Sequence, residues 1–175
     1  MHVAIVPWRV TGERLVAHAA PLPPCGKECT MVIANILREK GSEVVSVGPG
    51  DSAAGIARVL AQHRIGAVLV RDPSGKVLGI VSERDIVRAM ANAPGELPQL
   101  MAGALMTQVL HTVGPRTLIV QALAMMTDRR VRHLPVLEED GSLAGMVSIG
   151  DLVKARIAEA EMEATELRHY VSTAG

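Results

Sequence analysis

Ser82 and Asp85 close the stretch Gly79-Ile80-Val81-Ser82-Glu83-Arg84-Asp85, and Ser148 and Asp151 close Gly145-Met146-Val147-Ser148-Ile149-Gly150-Asp151 in the same way. In both, a β-prone run gives way to a helical one at the serine. A hydroxyl and a carboxylate at that spacing converge on one small volume at the first helical turn. Two chemistries suit them. As a local device, the serine at the N-cap and the aspartate at the third helical position make a variant of the capping box, worth about 1 kcal/mol per cap. As ligand groups, the carboxylate accepts the paired hydroxyl donors of a ribose, as the acidic residue of dinucleotide sites does. The two roles are compatible, and the spacing does not choose between them. Gly79 and Gly145 would let another group approach the strand backbone closely. A carboxylate repels a phosphate placed at the same helix start. Any phosphate must therefore point toward nearby bases, for which Arg64, Arg84, Arg130, Arg132 and His133 are the candidates.

The elements that position these residues come as a duplicated unit. Ser82 and Ser148 are 66 positions apart, and the same offset without a gap pairs Val47-Gly48-Pro49 with Val113-Gly114-Pro115, Arg64 with Arg130, Val70 with Val136 and Gly75 with Gly141. It also places Ala53, Ile56, Ala57 and Leu60 on Ile119, Ala122, Leu123 and Met126. Both sets are i, i+3, i+4, i+7 stripes, the pattern of one buried helix face. Each copy reads β-α-β-β-α. The first has a β-prone start at Val44 to Val47 ended by Gly-Pro, a helix over 52–63, strands at Ala67 to Arg71 and Val77 to Ser82, and a helix over 83–92. The second has Val109 to Val113, a helix over 118–129, strands at Leu134 to Leu137 and Leu143 to Ser148, and a helix from 149 onward. A single unit has too little core to be secure alone, so two copies packed sheet to sheet with helices outside are expected. The organisation is thus an N-terminal extension over 1–31, repeats over 32–92 and 101–158, a linker over 93–100 and a helical extension over 159–175.

The extension at the N-terminus, with His2 to Val6 as a possible edge strand, reads as loosely attached. In the C-terminal extension Val153, Ile157, Ala160, Ala164, Leu167 and Val171 form a continuous apolar seam. The seam predicts either packing onto its own domain or a second copy of the chain.

These motifs resemble the tandem cystathionine-β-synthase-type (CBS) domain pair, or Bateman module, in its stand-alone bacterial form. The resemblance rests on Arg64-Ile65-Gly66-Ala67-Val68-Leu69-Val70 with Gly79 to Asp85, and on Arg130-Val131-Arg132-His133-Leu134-Pro135-Val136 with Gly145 to Asp151. It covers residues 32–158. It implies an α/β fold of two repeats in a pseudo-two-fold module with two clefts. It also implies a homodimeric, non-catalytic sensor that regulates a separate enzyme, with AMP, ADP, ATP, NAD or S-adenosylmethionine as candidate ligands and no required cofactor. By the same resemblance Asp85 and Asp151 are the ribose carboxylates and Ser82 and Ser148 the neighbouring hydroxyls. Val47, Val113, Ala67 and His133 lie at adenine-pocket positions, and Arg132 and His133 at phosphate contacts. The first repeat has Gly66 and Ala67 where the second has Arg132 and His133, so the clefts differ in charge. That difference favours a phosphorylated ligand leaning toward the second repeat.

Composition narrows the alternatives. The 175 residues hold 18 basic and 18 acidic side chains, and aromatic residues are 1% of the chain. Neither a basic field nor a stacking surface is offered to nucleic acid. No apolar run reaches the length of a membrane span. The two cysteines, Cys25 and Cys29, are too few for a disulfide framework, and the bland reading is a cytoplasmic protein. They are spaced CxxxC and lack the further ligands of a zinc site. Gly48-Pro49-Gly50 reads as a turn, and there is no Gly-Lys-Ser/Thr phosphate loop. The alternatives to a sensor are a ligand-free dimerisation or scaffold protein and a small thiol- or metal-dependent enzyme using those cysteines.

Overall fold

The computed structural model describes residues 31–92, 95–108 and 110–173. The expected edge strand at residues 2–6 and both cysteines lie outside them. The first repeat contains β1 (Ser46–Val47), α2 (Ala53–His63), β2 (Ala67–Arg71), β3 (Val77–Ser82) and α3 (Glu83–Asn92), and α1 (Ile33–Lys40) opens it. A 3-10 turn at Leu97–Gln99 leads to α4 (Ala102–Leu105). The second repeat contains α5 (Ile119–Arg129), β4 (His133–Leu137), β5 (Leu143–Ser148) and α6 (Ile149–Thr173). The architecture is α/β with two β-α-β-β-α repeats and a C-terminal helical extension.

β1 runs parallel to β2, which pairs antiparallel with β3, while β4 and β5 form the second antiparallel pair. The β-prone start of the second copy shrinks to a single parallel bridge, Val113 to Val136. Pro135 supplies the reason. In the first repeat the Leu69 N–H donates to Val45 O at 3.4 Å. The equivalent position in β4 is Pro135, which has no N–H to donate.

Two aliphatic cores form, and their members correspond between repeats: Ile56, Leu60, Val68, Val70, Val81 and Ile86 in one, Ala122, Met126, Leu134, Val136, Val147 and Leu152 in the other. Ala57 departs from the expected stripe by standing exposed. The short helices are exchanged between the cores. α1, at the start of the first repeat, buries Ile33 and Ile36 in the core of the second. α4, at the start of the second, buries Ala102 in the core of the first. Each repeat therefore completes its apolar cover with the opening helix of the other, which ties the two together.

The residue that α6 buries is Leu152, outside the expected seam, and the helix packs on α5, whereas the seam residues Val153 and Ile157 are 44% and 55% exposed. Ala160 is exposed and Ala164 half-buried, and the side chains of Leu167 and Val171 lie outside the described residues. Glu159 is buried, held by Arg156 Nη1 at 2.7 Å and by the Met31 amide at 2.8 Å, so a charge among apolar groups is paired. No helix of the described residues is long and apolar enough to cross a membrane.

Candidate functional site

At both strand-to-helix junctions the chain turns without a loop. The Glu83 amide donates to Gly66 O at 3.0 Å and the Ile149 amide to Arg132 O at 2.9 Å, pinning the helix starts to the preceding strands. Asp85 Oδ2 accepts the Ser82 amide at 2.8 Å and the Ser82 hydroxyl at 2.6 Å. Asp151 Oδ2 accepts the Ser148 amide and hydroxyl, both at 2.8 Å, and Ser148 Oγ in turn accepts the Asp151 amide at 3.3 Å. The capping role is therefore present in both copies, and in the second it is reciprocal. It uses one carboxylate oxygen. Asp85 Oδ1 has no partner among the described residues, so an acceptor is left over for a ligand.

The Ser82–Asp85 pair opens onto a cleft of about 460 Å³, within the range of small-molecule sites. Ile80, Leu110, Val131 and Pro135 supply apolar wall, and the rest of the lining is strongly basic. Arg84 and Arg88 come from α3, and Arg129, Arg130 and Arg132 from the α5–β4 connection. The two groups meet where Arg84 Nη1 donates to Arg130 O at 3.3 Å. Arg130 terminates α5 in the left-handed region at φ 54°, as Arg64 does for α2 at φ 52°. A non-glycine residue there carries a cost of about 1 kcal/mol, and the helix end gains its closing amide bonds in return. Asp85 is the single acidic residue of the lining, so the cleft offers one acceptor and a surplus of fixed cations.

His133 lies at the meeting of the repeats, half-buried and opposite Gly66, where an added Cβ would stand 3.1 Å from its ring. Burial, with help from the Arg132 and Lys40 charges, holds its pKa below the ordinary 6.5 against the opposing pull of Asp151 and Glu83. These surroundings favour the neutral imidazole. Partial burial would raise Asp151, but the Lys40 ammonium and the Ser148 amide and hydroxyl outweigh it and hold the carboxyl below its ordinary value.

Six of the residues singled out from sequence, Ser82, Arg84, Asp85, Arg130, Arg132 and His133, line this one cleft, and Arg64 does not. Ser148 and Asp151 stand at the second junction, where Lys40 Nζ reaches Asp151 Oδ2 at 2.7 Å. Val47, Ala67 and Val113 are buried and do not line the cleft. Arg88, Arg129, His111 and Lys40 escaped the sequence reading. Arg88 carried a signal, since it follows Asp85 by one helical turn and so shares its face. The close approach expected at the two strand glycines is made by the chain itself. A Cβ on Gly79 would stand 2.8 Å from both Met106 Sδ and Thr107 O, and one on Gly145 2.7 Å from Leu37 Cδ2. A second hollow of about 930 Å³, at the β4–β5 turn, contains Val113 but neither Ser/Asp pair. Among the described residues no cluster of three or more His, Cys, Asp or Glu side chains could hold a metal ion.

Comparison with known proteins agrees with the duplication. The family profile described as "CBS domain" matches residues 36–92 and 102–158. The mitochondrial CBS domain-containing protein CBSX3 of Arabidopsis thaliana is 32% identical over 160 residues, 87% of this chain and 77% of its own length. The crystal structure of a CBS-domain containing protein from Agrobacterium tumefaciens is 42% identical with a TM-score of 0.68, covering 71% of this chain and 98% of that one. A crystal structure of CBSX2 in complex with AMP shares the fold at 24% identity and a TM-score of 0.60, over 73% of this chain and 96% of that one.

Proposed function

The chain belongs to the CBS domain family, and on that premise we propose that it is a non-catalytic sensor of adenosine nucleotides. The observation that carries the reading is Asp85, with one oxygen unpartnered among the described residues, in a cleft walled by Arg84, Arg88, Arg129, Arg130 and Arg132. The carboxylate and the Ser82 hydroxyl hold a ribose, Ile80, Leu110 and Pro135 face the base, and Arg132 and His133 take the phosphates. Guanidinium groups bind phosphate in bidentate fashion and are the right residues for it. AMP bound to a protein of this fold is the external support. The arginine surplus ranks the candidates: ATP and ADP above AMP and NAD, with the sulfonium cation of S-adenosylmethionine last. The Ser148–Asp151 pair is a second ribose seat of like construction. Val47 and Val113, packed in the first and second cores, and the buried Ala67 act as support for the fold around the base and not as its wall.

The repeats over 32–92 and 101–158 form one functional unit. Val87 and Met90 on α3 and Val153 and Ile157 on α6 are exposed apolar side chains, and a second copy of the chain is the partner assigned to cover them. Binding then acts through dimer geometry on a separate target enzyme, since only states that bind ligand differently can be shifted. The cytoplasmic location expected from the sparse cysteines belongs to the same proposal.

The test is isothermal titration of nucleotide-stripped protein with AMP, ADP, ATP, NAD and S-adenosylmethionine, with stoichiometry recorded. Saturable binding in the order given supports the sensor. No heat and no rise in melting temperature with any of them would leave the ligand-free scaffold, because a binder gains stability by mass action.

A further inference from the structure

The two Ser/Asp pairs are alike in construction and unlike in freedom. Among the described residues Asp85 forms no ion pair, whereas Asp151 Oδ2 accepts Lys40 Nζ at 2.7 Å beside its two bonds from Ser148. The same ammonium donates to Met146 O at 3.4 Å. Met146 corresponds to Ile80, and Ile80 O accepts a backbone amide, that of Thr107 at 2.9 Å. The first repeat thus satisfies its strand carbonyl with main chain and leaves its carboxylate clear. The second satisfies the equivalent carbonyl with a lysine that leans across the carboxylate to reach it.

Lys40 is held there by its helix. α1 buries Ile33 and Ile36 in the core of the second repeat and sets Leu37 over Gly145. Gly41 ends the helix at φ 91°, its amide donating to Leu37 O at 2.9 Å. Lys40 is the last residue of that anchored helix, so only its own side-chain rotamers govern whether the ammonium stays.

We propose that Lys40 is a built-in occupant of the Ser148–Asp151 seat and sets the order in which the two seats fill. The inference rests on the reading of the Ser/Asp pairs as ribose seats. Lys40 shares Asp151 Oδ2 with the cap and leaves Oδ1 without a partner among the described residues, so a ribose that spans both oxygens has to displace a charge-assisted donor from one of them. The Lys40 side chain is 44% exposed and can leave for water, so the second seat is weakened and not abolished. The Asp85 seat binds first, and the Asp151 seat follows only when nucleotide has displaced Lys40.

Titration with AMP on an Asp85→Asn background tests this, because binding that remains reports the second seat. Adding Lys40→Ala should tighten that binding about two- to fivefold, the factor expected from removing a half-exposed ion pair that competes with the ligand. Lys40→Met keeps the aliphatic stem and should act alike, and a cooperative melt for each variant establishes that it is folded. Unchanged or weaker AMP binding in both folded variants overturns the proposal. A parent protein that fills both seats with equal affinity also overturns it, while leaving the ribose reading intact. A parent that binds no nucleotide overturns the ribose reading itself.

Discussion

The two repeats answer the same structural demand with different groups, and the difference decides where a ligand can sit. Beside β3, the stretch holding Met106 and Thr107 pairs with Ile80 through two backbone bonds of 2.9 and 3.1 Å and covers Gly79 with main chain. Beside β5, Met146 O meets the tip of Lys40 and Gly145 is covered by the end of Leu37. Backbone cover leaves no side-chain charge over, and side-chain cover brings a cation to the carboxylate. Duplication thus preserved the strand-end Ser/Asp device in both copies, while the packing around it left one open and the other occupied.

The largest effects are expected at the two strand glycines. Gly79→Ala must displace Thr107 O, a backbone atom that cannot swing away, and should cost about 3 kcal/mol in chemical denaturation. Gly145→Ala meets only the flexible end of Leu37 and should cost about 1 kcal/mol. Equal losses for the two would mean that the covers are equally yielding, contrary to the contrast between a backbone oxygen and a side-chain end. Next in size is the loss of nucleotide affinity on Asp85→Asn, about thirtyfold, corresponding to about 2 kcal/mol for hydrogen bonds to a charged group. Asp151→Asn should change the tight site less than about twofold. Calorimetry on both variants sharpens the contrast, and a stronger effect at Asp151 would reverse the assignment of the open seat.

A smaller effect concerns pH. His133 is held below 6.5 in the free protein, so the unfolded chain binds more protons than the native one as pH falls through that value, and stability declines on acidification. A phosphate beside the ring favours the imidazolium and reverses the balance. Nucleotide binding should therefore take up protons, tightening several-fold between pH 7.5 and 6, and His133→Gln should flatten the profile. Titration in buffers of different ionisation enthalpy measures the uptake directly.

The smallest effect belongs to the Lys40–Asp151 pair. Because the native Asp151 pKa is lowered, the pair's stabilisation is present above the ordinary carboxyl value of 3.8 and is lost as pH falls through the lowered one. At its exposure the contribution is below about 1 kcal/mol. Lys40→Ala should accordingly reduce the loss of stability below pH 4, and an unaltered acid-melting curve would show that the pair is energetically silent.

Much of this was legible in the chain before any coordinates. The offset joining Ser82 to Ser148, the helix stripes of α2 and α5, and the serine-aspartate caps are local or periodic signals, set by backbone geometry within a few residues. They determined the fold class, the repeat and the two carboxylates at the junctions. The truncated start of the second sheet was also written locally, in Pro135, but its effect depends on which strand needs the missing N–H. Convergence comes from the tertiary packing. Arg84 and Arg130 are 46 positions apart and Lys40 and Asp151 are 111. No periodicity links members of such pairs. They meet because each short helix leaves its own repeat to complete the core of the other, burying Ile33 and Ile36 on one side and Ala102 on the other. The apolar area gained by that exchange carries Lys40 to the second carboxylate and leaves the first one free.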